Sequence, residues 1–430
     1  MPNLKVGAAK VNVSFGPDCF PSTEAVGQHD DVTIRVLLLE SDRRYAIFSA
    51  DTPSMFPPDV DYCRALLKEL AGVEKEHCWI TATHNFASPH VWPIEEDVWD
   101  RFFHRLPPAL RESEEKLQVA ANVNAAFRKA YAEAIAQAAA CLQPACVGYG
   151  KGRCSININR NMETTEGWWQ GVNMAGFADR DLPVVRFNDE NGKLIALLYN
   201  YSVQPSCCAG EITQEGRLIS GDLTGSASRR LEEDFEGAVA IFLPGATNDQ
   251  VPIYKINYFE TDPSGALRTG ALGEAGYILA REQGRVLAGT VTETARAITE
   301  TDPSPAISTC SKEYTCKCQK KEGGRGKRPV RSYHFTPDGE TTLEVYAMRI
   351  GDIALAGLVP ELDGITVAQV RENSPFEKTL VVTFVNGEGK SMPQAEAYPL
   401  CQYGLASSPF AEGSAELTRD TALELLRSMI

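Results

Sequence analysis

The sequence predicts one mixed α/β domain with a multi-layer β-sheet core flanked by helices. Two observations carry this. Apolar strand-like runs alternate with amphipathic helical segments along the whole chain, and no Pro-, Ser- or Gly-rich linker divides residues 1–430 into separate units. No internal repeat is visible in the residues. The one break in composition, Lys-Lys-Glu-Gly-Gly-Arg-Gly-Lys-Arg-Pro within 319–330, is expected to be a mobile, solvated basic loop.

The elements follow in order. Val32 opens the β-branched run Val-Thr-Ile-Arg-Val-Leu-Leu-Leu, and 44–49 repeats the pattern after an Asp-bearing turn, so adjacent strands are predicted. Pro57-Pro58-Asp59 then starts a helix whose Val60, Cys63, Leu66, Leu67 and Leu70 recur at three- and four-residue steps and whose exit is Gly72. Cys78 to Ala82 reads as a buried strand delivering His84 to its end, where open α/β sheets place their chemistry. Residues 122–142 form an amphipathic helix along Val123, Phe127, Tyr131, Ala134 and Ala138. Strands are expected at 145–150, 182–187 and 194–201, a helix at 224–235 and a strand at 238–243. A long helical region is expected over 266–298, strands at 342–349, 353–358 and 379–384, and a closing helix through Ala422, Leu425, Leu426 and Met429.

Composition narrows the function. A formal net charge of −15 leaves no surplus of Lys and Arg for tracking phosphates, which argues against nucleic acid and anionic membranes and for a small-molecule substrate. No apolar run approaches the roughly 18 residues that span a bilayer, and the N-terminal residues lack the basic-then-apolar plan of a secretory signal. Most of the twelve scattered cysteines read as buried free thiols, and with the other features they lead us to expect a cytoplasmic protein without membrane insertion. Cys310, Cys316 and Cys318 lack a fourth partner at zinc-knuckle spacing.

Candidate chemistry lies in polar turns that follow apolar strands. Thr81-Ala-Thr-His-Asn-Phe-Ala-Ser-Pro-His90 holds two of the six histidines, and neutral imidazole is the commonest metal ligand; the bland alternative is a loop histidine bonded to backbone. Asn200-Tyr-Ser-Val-Gln-Pro-Ser-Cys-Cys208 brings Gln204 to a second strand end. Asp222, in Ser220-Gly-Asp-Leu-Thr-Gly225, is either a helix cap or an acid/base. Gly245-Ala-Thr-Asn-Asp249 presents Asn248 and Asp249, and Pro360-Glu361 places a carboxylate just past a strand, able to ligate, act as base or complement a helix N-terminus.

Taken in order, these segments resemble the neutral, non-lysosomal ceramidase family, amidases that cleave the N-acyl bond of ceramide with one zinc ion. Val6-Gly-Ala-Ala-Lys-Val-Asn-Val resembles the opening strand and Ile80-Thr-Ala-Thr-His84 the zinc-histidine turn. Asn159-Arg160-Asn161 resembles the Asn-Arg motif, and Phe242-Leu-Pro-Gly-Ala-Thr-Asn-Asp the central block. Ala395-Glu-Ala-Tyr-Pro-Leu-Cys-Gln-Tyr403 is similar to a closing segment. The resemblance implies a zinc site of two histidines, a glutamate and a tyrosine. His84 and Glu361 match two of these; Gln204 stands at the second histidine and Ser391 at the tyrosine. Phe86 stands at a further active-site histidine, Val251 at the nucleophilic serine and Asn248 at a glycine of that serine's turn.

The expected function is therefore a hydrolase-like protein cleaving a small soluble amide, ester or glycoconjugate at a metal-assisted site that departs from the family's zinc pattern. His84 and Glu361 are the candidate metal ligands, with His90 or Asp222 folding back to complete the zinc site. Arg160, Gln204 and Asn248 are expected to bind substrate, and Asp222, Asp249 and Tyr403 to be catalytic. The extra C-terminal domain of larger family members is not expected in a chain of this length. The competing expectation is an inactive small-molecule-binding protein on the same scaffold, in which the polar cluster around His84 is dispersed or filled by Phe86 and Trp92.

Overall fold

A computed structural model describes residues 3–209, 216–323 and 328–430. Three large sheets carry the fold. The first contains Lys5–Asn12, Thr33–Glu40, Arg44–Ala50 and Cys78–Ala82, with Gln143–Pro144 at its far edge. The second contains Cys146–Arg153, Asp181–Asn188, Leu194–Tyr201 and Val239–Pro244. The third contains Ile307–Lys321, Phe335–Ile350, Ile353–Leu358 and Lys378–Val382. In each sheet those four strands follow one plan: three pair antiparallel, and the fourth joins the third in parallel.

A parallel neighbour needs a crossover, and a helix supplies it each time: Pro57–Ala71, Asp222–Asp234 and Gly364–Glu372. A further helix follows each fourth strand: Glu114–Ala140, Ala275–Ala297 and Ser414–Arg427. The order β-β-β-α-β-α thus occurs three times along the chain. It escapes a search of the residues because what recurs is the pattern of burial, not the side chains that satisfy it.

Strand burial explains the near-continuous apolar runs. One face of every sheet enters a shared central core: Leu37, Ile47 and Trp79 from the first, Val185, Leu198 and Ile241 from the second, Met348, Leu355 and Leu380 from the third. The alternate residues face the helices. Val36, Phe48 and Ile80 pack under Phe127 and Tyr131; Leu197, Tyr199 and Phe242 under Leu231 and Leu287; Ala356, Leu358 and Val381 under Val367 and Leu426. A strand buried on both faces has no polar alternation, and each fully buried Leu, Ile or Phe contributes about 1.5–3 kcal/mol to holding that arrangement.

Element boundaries agree closely with the sequence where this pattern is strong, at 78–82, 194–201 and 353–358. The helix at Pro57 ends as expected, with Gly72 in the left-handed region at φ 67. Two expectations need correction. The helical region over 266–298 begins only at Ala275; Leu267–Ala271 is instead a strand paired with Asn257–Thr261. The basic loop 319–330 is shorter than expected, because Gln319, Lys320 and Lys321 pair with Pro337, Thr336 and Phe335, and its residues 324–327 lie outside the described residues. No described helix is long and apolar enough to cross a membrane.

Candidate functional site

The parallel strands of all three sheets end toward one place, and the site is assembled from the turns that leave them. His84 follows the fourth strand of the first sheet; Gln204 follows the third strand of the second. Asn248 and Asp249 follow the latter's fourth strand, and Glu361 and Asp363 follow the third strand of the third sheet. Polar residues knit these ends together. Asn200 donates to Leu243 O and Val381 O at 2.9 Å each and accepts from Val381 N at 3.2 Å, tying the second sheet to the third. Thr383 donates to Gly245 O at 2.7 Å.

His84 adopts a left-handed backbone, φ 61, which turns the chain sharply off the strand and is unfavourable for a non-glycine residue unless its surroundings hold it. Those surroundings are visible. The imidazole stacks on Phe384 at 4.1 Å and meets Phe86 edge-on at 4.6 Å, and its Nδ1 lies 2.6 Å from Pro53 O. A carbonyl can only accept, so the proton sits on Nδ1 and Nε2 points at the cluster. There Nε2 is 3.2 Å from Glu361 Oε1 and 3.2 Å from Gln204 Nε2, and Gln204 Nε2 donates to Glu361 Oε1 at 3.1 Å. The sequence spreads these three residues over almost 280 positions; the fold closes them into a triangle.

Above the triangle lies a cleft of about 380 Å³ whose lining includes Phe86, Arg160, Gln204, Lys255, Glu361 and Tyr403. Arg160 is buried, with its guanidinium 5.1 Å over the Tyr403 ring. It donates to Gln204 Oε1 at 3.3 Å and Asn248 Oδ1 at 3.4 Å. Asn248 in turn accepts from Ser391 Oγ at 2.5 Å and donates to Asp363 Oδ1 at 2.6 Å. Arg160, Gln204, Tyr403 and Glu361 therefore share the lining of the cleft, while Asn248 and His84 stand behind it, bonded to that lining.

Asp249 sits behind Arg160. Its oxygens accept from Gly364 N at 2.7 Å and Asn159 Nδ2 at 2.8 Å, yet burial pushes its carboxyl up to about 6. Asp363 is raised well above the usual carboxylate range by burial first and by the charge of Asp249 second. The two form a coupled pair beneath the Arg160 wall and do not line the cleft.

Two candidates fall outside the cluster. His90 turns to Glu24, its Nδ1 2.6 Å from Oε1 and its backbone N–H donating to Oε2 at 2.9 Å, and it stacks on Trp92. It cannot complete a site around His84, because the left-handed turn at His84 sends the following loop toward the helix Glu114–Ala140, where Trp92 is bonded to Asn124. Asp222 spends its carboxylate on backbone: Oδ1 accepts from Leu223 N at 2.6 Å and Oδ2 from Cys208 N at 2.8 Å. It serves as a loop and helix anchor and faces a separate hollow with His29 and Tyr277.

The donor set does not fit a catalytic zinc. Such a site takes three protein ligands and an open position. Here His84 and Glu361 supply two, and the side-chain NH2 of Gln204 donates into the place a third would occupy. Among the described residues no three His, Cys, Asp or Glu side chains are grouped to hold a metal ion.

Two residues of the site went unread in the sequence. Lys255 reaches the cleft; it is the only charged residue between Asp249 and Glu260, which is the signal that marks it. Asp363 follows Glu361 by two positions, so one turn carries two carboxylates.

No protein-family model and no curated protein matches the chain. Solved structures do. A ceramidase complexed with C2 superposes with a TM-score of 0.74 at 16% identity, over 100% of this chain and 76% of that one. A neutral ceramidase from Pseudomonas aeruginosa superposes with a TM-score of 0.71 at 18% identity, over 100% of this chain and 75% of that one. At such low identity the likeness is one of architecture, and the conclusion it supports is that this chain has the neutral-ceramidase-like fold.

Proposed function

We propose that the protein is a hydrolase of small amides or esters whose reacting centre is the His84–Gln204–Glu361 triangle at the floor of the cleft. The observation that carries this reading is the compactness of the cluster: three side chains from three separate turns within 3.2 Å of one another, with Trp92 drawn away to His90. An attacking water, taking the place of the Gln204 N–H at Nε2 of His84, would give that atom its proton as its oxygen bonds to the carbonyl carbon. Glu361 stabilises the imidazolium, which returns the proton to the departing amine or alcohol as the C–N or C–O bond breaks. Pro53 O holds the ring in the required tautomer. The oxygen of the attacked carbonyl, gaining charge, would be met by the Arg160 guanidinium on the facing wall.

A metal-assisted reaction at a shifted zinc site is not part of this proposal, since the donor set offers too few ligands. Two observations favour the second reading, an inactive binding protein, the first being that Phe86 lines the cleft and packs edge-on against His84. Gln204 satisfies both His84 and Glu361 through one NH2 group, an arrangement suited to a static wall. A panel of N-acyl amides and carboxylic esters assayed with wild type and His84→Ala separates the two. The hydrolase predicts turnover that falls at least about 100-fold in the variant. Equal rates in both proteins, or no turnover of any member, would leave the binding protein.

A further inference from the structure

We infer that the ligand of this cleft carries an anionic oxygen group, a carboxylate or a tetrahedral phosphate or sulfate ester, gripped by Lys255 and Arg160. The inference rests on the cleft being the substrate site proposed above and names the class of substrate.

Two cations of the cleft form no direct ion pair with a carboxylate. Among the described residues, neither Arg160 nor Lys255 forms an ion pair, although the chain holds 57 acidic residues against 42 basic ones. The other buried arginines show how this protein ordinarily treats such a charge. Arg35 is clamped between Asp51 and Glu232, and Arg371 is held by Asp179 and Asp181. Burying a guanidinium without a directly bonded counter-charge is costly. Arg160 meets only two neutral amide oxygens at the long end of hydrogen bonding, and its buried Nε has no partner. Lys255 makes no hydrogen bond to any described residue and projects into the same cleft, where burial first and the Arg160 charge second push its ammonium down to about 8.

The nearby carboxylates do not answer these charges. Glu361 is committed to His84 and Gln204. Asp249 and Asp363 lie behind the wall with their oxygens bonded to Gly364, Asn159, Asn248 and Gln394, and they attract Arg160 without forming an ion pair with it. Lys390, the remaining cation of the lining, is paired with Glu388 at 2.6 Å. A ligand oxyanion entering the cleft therefore finds two preformed donors whose desolvation has already been met, which is the condition for strong charge-assisted binding.

Titration calorimetry of the full chain with benzoate, inorganic phosphate, inorganic sulfate and neutral benzamide tests this. The expected result is saturable one-to-one binding of benzoate or of a tetrahedral anion, the pattern telling the two sources apart. Benzamide should bind at least about tenfold more weakly. Lys255→Gln should weaken the anion about tenfold, and Lys255→Arg, which keeps the charge, should stay within a few-fold. Benzamide binding as tightly as benzoate, an unchanged affinity in a folded Lys255→Gln protein, or no saturable anion binding would overturn the inference. The hydrolase reading fails separately. Anion binding with no turnover sinks hydrolysis and leaves this inference standing, whereas His84-dependent turnover indifferent to ligand charge does the reverse.

Discussion

Asp59→Asn should make the protein more stable at pH 8 and leave it nearly unchanged at pH 4. Asp59 lies in the first turn of the helix Pro57–Ala71, almost wholly buried, with Oδ2 unpartnered and Oδ1 at 3.3 Å from Arg128. Burial outweighs the help of Arg128 and raises its carboxyl to about 7 from the usual 3.8. A carboxyl whose folded value lies above its unfolded one favours the folded state while protonated, and that advantage is lost as pH rises from about 4 to about 7. Raising the carboxyl from 3.8 to about 7 corresponds to roughly 4 kcal/mol as a ceiling. Asn is neutral and has the same shape, so it escapes this loss, but it also weakens the bond to Arg128, which retains Glu95. The help of Arg128 is already contained in that raised value, so nothing further is subtracted for it, and the expected gain at pH 8 is about 2–4 kcal/mol. Urea denaturation of both proteins at pH 4, 6 and 8 measures it. A variant no more stable than wild type at pH 8, or one offset by the same amount at every pH, would refute the reasoning.

Two further predictions bear on the site. Gly404→Ala would set a Cβ 2.8 Å from both side-chain atoms of the Asn248 amide, pushing it off Arg160 and Ser391; we expect kcat/KM on any turned-over substrate, or affinity for benzoate, to fall about tenfold, with a circular dichroism spectrum like that of wild type. Zinc analysis of protein purified without chelator should find less than about 0.1 ion per chain, and EDTA should leave activity unchanged, because two protein donors are too few; one zinc per chain would show that the ligand argument is wrong.

Much of this was written locally. The runs at 78–82, 194–201 and 353–358 are apolar on both alternations, and such a run has few options besides a strand buried on both faces. The polar turns after them, with His84, Gln204 and Glu361, were legible as strand ends for the same reason. The hairpin strands Asn257–Thr261 and Leu267–Ala271 were not. They are largely exposed, so no burial pattern marks them, and the small residues after 265 merge with the helix that follows. The first half of the long hairpin, Ile307–Lys321, is hidden similarly: its outward positions are Ser, Thr, Glu and Lys, and tertiary pairing with Phe335–Ile350 overrides weak propensity.

By itself, then, the sequence determined which segments are strands and helices of the core, and which polar residues stand at their ends, because hydrophobic burial acts on neighbours along the chain. Only the tertiary structure decided which of those ends meet. His90, six residues from His84, leaves with Glu24, while Glu361 arrives from the third sheet and Lys255 from a stretch with no motif at all. Proximity in a folded site depends on how whole sheets pack around a common core. That is set by the sum of many weak contacts, and no short segment of chain contains it.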